Sequence, residues 1–240
     1  MKQFVGTIQS LYRYPVKSMA GEALDTATLG WHGLAGDRRY AFRRVQESGG
    51  FPWLTAVRLP ALIRYQPYSE TKGAPPTHVR TPAGVELDLH GAALQQELST
   101  LHGAEVQLMQ LKHGMFDEAP LSLITTETLD TLAAKAETEI DPRRFRPNIL
   151  VAADSGAPFP ENAWVGKLIV FGEANDAPAM TAAQLDVRCG MVNLDPDTAE
   201  VTPQILKAVV QTNQNCAGVY GAALRTGKIS VGDRVFVIDV

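Results

Sequence analysis

Cysteine supplies this chain's best nucleophile and softest metal ligand, and there are two of them, Cys189 and Cys216. Two thiols cannot build a zinc cluster. Neither a C-x-x-C redox pair nor an iron–sulfur spacing is present, so redox work would need electrons delivered from outside. A reducing compartment would also disfavour a disulfide between them. Cys189 closes the run Asp186-Val187-Arg188-Cys189 and is followed by Asp195-Pro196-Asp197-Thr198, a turn signature. It is therefore expected near the end of a strand running into a loop, where a metal could reach its sulfur. Arg188 could favour the thiolate, although neighbours on a strand point to opposite faces. A lone cysteine is more usually a small buried hydrophobe. Residue types alone leave both readings open. Cys216, in Asn215-Cys216-Ala217-Gly218-Val219-Tyr220, reads as packing.

The arginines are bunched: Arg38, Arg39, Arg43 and Arg44 in one run, Arg143, Arg144 and Arg146 in another, then Arg188. Grouped arginines in a chain of net charge −4 suit one small anionic ligand, or else form a solvated basic face. The net charge argues against nucleic acid as a partner. His32, His78, His90, His102 and His113 show no metal spacing, and no lysine has the context of a Schiff base.

These side chains need a frame, and 240 residues with 45% apolar content can build one around a sizeable core. Residues 5–12 form a strand candidate ending at Tyr14-Pro15, and residues 39–45 another, bounded by Gly36 and Gly49-Gly50. Residues 69–84, rich in Pro, Gly and Thr, read as an irregular hairpin connection. Leu94, Leu98 and Leu101 at i, i+4 and i+7 predict a helix capped by Gly103. Leu129, Leu132, Ala133 and Ala136 predict a second, with Thr126 as N-cap. Thr202-Pro203 opens a third that carries Ile205, Leu206, Val209 and Val210. Strands are expected over 148–152, 167–171 and 234–240. Many short strands with few helices predict a mostly β (α+β) architecture, barrel-like with helical decoration. No apolar run is long enough to span a bilayer, and the opening residues lack the pattern of a signal peptide, so a cytoplasmic protein with no membrane partner is expected.

Six stretches in order resemble one family, the MOSC domain proteins in the branch with an N-terminal MOSC β-barrel domain, which includes the mitochondrial amidoxime-reducing component and bacterial relatives. They are Tyr14-Pro15-Val16-Lys17-Ser18, Gly33-Leu34-Ala35-Gly36-Asp37-Arg38-Arg39-Tyr40, Asp117 to Thr125, Arg144-Phe145-Arg146-Pro147-Asn148-Ile149, Arg188-Cys189 with Asp195 to Thr198, and Tyr220 with the Gly227-to-Asp233 turn. The resemblance implies a smaller N-terminal β-rich domain over 1–100 and a MOSC domain over 101–240. It implies molybdenum held by a pterin dithiolene, oxo groups and the Cys189 thiolate, a soft ligand suited to a sulfur-rich sphere. Lys17, Ser18, Arg38 and Arg146 would bind the pterin and its phosphate, with Thr125, Thr126, Asn148, Arg188 and Tyr220 as further cofactor contacts. Neither an iron–sulfur cluster nor a pyridoxal-phosphate site is implied for this chain.

The activity implied is reduction of N-hydroxylated small molecules, such as amidoximes and N-hydroxylated bases, with electrons from a flavoprotein or ferredoxin-like donor. The alternative implied is a non-catalytic cofactor carrier or sulfur-transfer module. Two departures stand out. Relatives often have Cys where this chain has Met19, and the better-known reductases carry two threonines where this chain has Val192-Asn193.

Overall fold

The structure is a computed structural model that describes residues 2–71 and 73–239. Among the described residues, seven strands close into a barrel. Its staves run Lys2–Arg13, Ile149–Ala153, Leu121–Thr125, Cys216–Arg225, Ala179–Val187, Leu168–Phe171 and Arg234–Ile238, the last pairing back to the first. The pairings are antiparallel except that of Leu121–Thr125 with Ile149–Ala153. A parallel pair needs a crossover. Helix α2, found over Thr126–Ala136, supplies part of it and packs outside the barrel against α3, Gln204–Asn213. Helix α1, Ala92–His102, belongs to a different core.

Alternation decides which side chains fill the barrel. Leu121, Leu123, Ile149 and Val151 point inward, while Ile124 and Leu150 point outward under α2 and α3. The opening stave breaks strict alternation: Ile8 and Leu11 both face inward, because a bulge between Ile8 and Ser10 adds one residue to the register. Apolar residues on both faces of a stave therefore have a covering partner. The expected mostly β barrel with helical decoration is what the chain forms.

A second core gathers Val16, Phe42, Leu54, Leu62, Val79, Leu94, Leu98 and Val106. It lies under the strand pair Tyr40–Arg44 and Val106–Gln110, a three-stranded meander, and α1. Residues 69–84 do not form connection alone: His78–Arg80 is the middle strand of the meander, pairing with Gln66–Tyr68 and Glu86–Asp88. Helix α1 ends at Gly103, left-handed at φ 78° as expected, but Leu101 faces solvent while Leu94 and Leu98 are buried. Helix α2 is capped by Thr125 and not Thr126, since the Thr125 hydroxyl accepts from Thr128 N at 3.3 Å. No helix among the described residues is long and apolar enough to cross a membrane.

Where staves press closest there is no room for a side chain. A Cβ on Gly221 would lie 1.7 Å from the Thr181 carbonyl oxygen across the sheet. Gly221→Ala is therefore expected to cost about 3 kcal/mol or more, as overpacking does, read as a lower urea midpoint at unchanged slope. An unchanged midpoint would contradict this packing.

Candidate functional site

One cavity of about 970 Å³ collects residues from distant parts of the chain, within the size range of small-molecule sites. Its lining includes Lys17, Ser18, Arg38, Arg146, Arg188, Cys189 and Tyr220. Three of these sit in left-handed backbone: Ser18 at φ 65°, Arg38 at 49° and Arg146 at 50°. Non-glycine residues adopt that region at a cost of roughly 1–3 kcal/mol each and keep it only where the surroundings impose it. Here they do. Arg38 N donates to Tyr14 O at 2.8 Å, and Arg146 closes the short helical turn Pro142–Phe145 by donating its N–H to Arg143 O.

The cations converge on one aromatic ring. Tyr14 is buried, with the Arg146 guanidinium 4.1 Å and the Arg38 guanidinium 4.9 Å from its ring centroid. Arg38 also pairs with buried Asp37 at 2.5 Å and donates to Arg146 O at 3.0 Å. Arg146 Nη1 donates to Met19 O at 2.7 Å, whereas its Nη2 is buried without a partner among the described residues. Burial, reinforced by Arg38, lowers the Arg146 pKa to about 10, so the cation persists at neutral pH. Lys17 Nζ donates to Met115 O at 3.0 Å and to Asp117 at 2.8 Å. Burial pulls Lys17 below its ordinary value against the pull of Asp117. Burial works to raise Asp117, but Lys17 beside it holds that carboxyl below the usual range.

The end of stave Ala179–Val187 sorts its side chains by alternation. Asp186 and Arg188 are buried, while Val187 and Cys189 are exposed. Arg188 is braced inward: Nε donates to Ala217 O at 2.7 Å, Nη1 to Phe145 O at 2.8 Å, and Nη2 lies 2.7 Å from Asp186 Oδ2. Ser122 Oγ donates to the same Asp186 oxygen at 2.8 Å, and Asp186 Oδ1 has no partner among the described residues. Burial pushes Asp186 up to about 6, against the attraction of Arg188. Burial likewise raises the Tyr220 hydroxyl, with Asp186 adding. Cys189 stands just past the strand end in extended backbone, its side chain open to the cavity.

Three of the expected cofactor contacts are not brought to the cavity. Thr125 is buried at the head of α2, where its hydroxyl faces Glu161 Oε2 at 2.7 Å. Thr126 reaches only the carboxylate of Glu127, at 3.1 Å. Asn148 is a barrel brace. Its Oδ1 accepts from Ser122 N at 3.2 Å and its Nδ2 donates to Tyr12 O at 3.3 Å, stitching two staves together. In each case a group of the protein itself takes up the polar side chain: a carboxylate for the two threonines, and backbone of two other staves for Asn148. Conversely, Asp117, Phe145 and Asp186 line the cavity without having been singled out. Asp117 and Asp186 each lie inside a motif stretch or beside the cysteine, the one signal that could have found them. Val192 also lines the cavity, whereas Asn193 Oδ1 turns away and accepts from Leu206 N in α3 at 2.9 Å.

A closed seven-strand, mostly β barrel is the fold of MOSC-domain proteins. The MOSC domain model matches residues 100–236, and the MOSC N-terminal beta barrel domain model matches residues 5–119. The chain belongs to the MOSC family. MOSC domains are associated with molybdenum cofactor binding. The chain is 25% identical to mitochondrial amidoxime reducing component 2 of Bos taurus, over 98% of this chain and 84% of that one. The crystal structure of the YuaD protein from Bacillus subtilis superposes with a TM-score of 0.54 at 16% identity, over 99% of this chain and 98% of that one, which shows a shared fold.

Glu161 gives the Thr125 assignment a pH test. The Thr125 and Thr128 hydroxyls each lie 2.7 Å from its carboxylate. Burial nonetheless holds its pKa above the ordinary 4.5. A raised folded pKa means that its stabilising contribution is complete below about pH 4.5 and is lost as pH climbs through the folded value. Wild-type stability minus that of Glu161→Gln should fall as pH rises from 4 to 7 in urea titrations. A rising difference would place Glu161 in a different environment.

Proposed function

We propose that this chain binds a molybdenum–pterin cofactor in the Cys189 cavity and reduces N-hydroxylated small molecules such as amidoximes. Electrons would come from a separate flavoprotein or ferredoxin-like donor. The observation that carries the reading is an exposed thiol opening on the same cavity as a buried guanidinium with an unsatisfied nitrogen, Arg146 Nη2. A buried donor left without an acceptor costs roughly 1–3 kcal/mol, so the site fits a ligand rich in oxygen acceptors. The likeness to a relative named as an amidoxime reducing component supports the choice of substrate.

The cofactor, when bound, supplies the two-electron reduction. The protein's own part is to hold and orient. Lys17, Ser18, Arg38 and Arg146 present donors suited to the pterin and its phosphate. The Cys189 thiolate supplies the protein's metal ligand, placed by the strand end. Arg188 keeps that strand end in place through its contacts to Ala217 O and Phe145 O. Cleaving the N–O bond of an N-hydroxylated substrate to amine and water consumes two electrons and two protons. Among the lining groups, Asp186, pushed up to about 6, can retain a proton fraction near neutrality.

Protein purified from a cofactor-competent host tests this directly. Wild type is expected to contain molybdenum and pterin and to reduce benzamidoxime with an artificial electron donor. Cys189→Ala should lose the metal and fall to background. Background rates for both proteins across several N-hydroxylated substrates would overturn the reductase reading, and equal metal in both would overturn the ligand assignment. Persulfide on Cys189 after incubation with a cysteine desulfurase, without turnover, would place the chain among sulfur carriers.

Retention of the pterin provides a second measure. Arg146→Ala should release it about tenfold more readily, the loss expected for one charge-assisted hydrogen bond. Unchanged retention would remove Arg146 from the binding set.

A further inference from the structure

We propose that Phe51, Val57 and Val187 form an apolar lip on the Cys189 cavity that selects substrates carrying an aromatic or branched alkyl body. This rests on the reductase reading and specifies which substrates the same site takes. The three residues come from two segments far apart in sequence, and all three line the one cavity. Their side chains are left open: Phe51 is 45% exposed, Val57 53% and Val187 65%. Single exposed apolar residues are ordinary on protein surfaces. Several around the mouth of a cavity that also holds an exposed thiol mark a surface meant to be covered.

Two hydrogen bonds seat the first part of this lip. Phe51 O accepts from Arg44 Nη2 at 3.0 Å, and Leu54 N donates to Phe42 O at 2.7 Å, pinning the segment to the second core. Leu54 and Ala56 are buried in that core, while Thr55 and Val57 line the cavity, Val57 within the turn that Thr55 O closes by accepting from Arg58 N at 2.9 Å. Val187 stands two residues before Cys189 on the same face, roughly 7 Å along an extended chain. It therefore flanks the thiol, while Asp186 and Arg188 point inward. The Phe51 ring lies 5.3 Å from Lys17 Nζ, which joins the lip to the row of buried cations.

The two chemistries divide the cavity's work. Cations with unsatisfied donors suit the anionic cofactor, and the apolar lip has nothing to offer a phosphate. A void of about 150 Å³ lined by aliphatic residues already takes a benzene ring. The cavity's roughly 970 Å³ leaves room for such a body beside a cofactor. Val192, buried and apolar, extends the same character next to the cysteine.

The experiment compares benzamidoxime with acetamidoxime on the cofactor-loaded full chain, in wild type, Phe51→Ser and Val187→Ser. In wild type kcat/KM should favour benzamidoxime at least tenfold, the scale on which apolar pockets discriminate. Each variant should bring the ratio down several-fold, through a higher KM for benzamidoxime. A wild-type ratio near one, or a ratio that both variants leave unchanged, overturns the lip.

Calorimetric binding of both compounds is measured in parallel, so that failure of the reductase reading is separately visible. Without turnover, a benzamidoxime preference in binding that the variants lose still supports the lip. Equal binding of the two compounds, or a preference the variants retain, overturns it. Far-UV dichroism and urea midpoints confirm that the serine variants are folded.

Discussion

Keeping Lys17, Arg38 and Arg146 charged inside the molecule is the constraint on which the site depends. Moving a cation out of water costs several kcal/mol unless opposite charge, hydrogen bonds or an aromatic face replace the lost solvent. The fold supplies all three. Asp37 and Asp117 give charge, the carbonyls of Met19, Met115 and Arg146 give acceptors, and the Tyr14 ring gives a π face to two guanidinium groups. Apart from Asp37, the neighbour of Arg38, each supporting group comes from another part of the chain, so satisfying the charges also fixes how those parts meet. The left-handed backbone at Ser18, Arg38 and Arg146 is the conformational cost of that convergence.

The barrel makes convergence possible because its first stave is also the lead-in to the second core. Lys2–Arg13 is zipped between Ile149–Ala153 and Arg234–Ile238, and the chain then runs directly through Tyr14 to Ser18. Asn148 ties the same stave to Leu121–Thr125 just where Arg146 has left its turn. Any slip of one stave by a residue would invert its faces and move Tyr14 away from both arginines. The bracing asparagine and the cavity-lining arginine are thus two residues of one short segment with separate duties.

The sequence revealed the frame more fully than the site. Helices with 3.6-residue periodicity and a glycine stop, such as α1, were legible because their signals are local. The cap of α2 was off by one residue because two adjacent threonines offer the same hydroxyl, and only tertiary contact with Glu161 decides between them. Arg38, Arg146 and Cys189 were named through ordered motifs, yet nothing local showed that the arginines stack on Tyr14. Asp186 could not be singled out from a strand end, since its importance comes from Ser122, 64 residues away. Burial of charge is a property of the assembled chain, and single-residue reasoning does not see it.

The pair of residues just past Cys189 divides its duties. Val192 and Asn193 stand where the better-known reductases have two hydroxyl-bearing residues, but they do not share one role. Asn193 serves the protein: its Oδ1 accepts from the first turn of α3 and its carbonyl accepts from Arg144 Nη1 at 3.0 Å. That leaves Val192 to face the cavity, where it contributes shape and no hydrogen bond. In the proposed reductase, a site without a hydroxyl there holds a neutral substrate by other means. The lining offers two, polar groups at the buried end and apolar surface at the mouth. Lys17 and Arg38 are already matched to carboxylates and carbonyls, and the spare donor of Arg146 suits an anion, so in the proposed reductase discrimination between neutral substrates falls to the apolar surface.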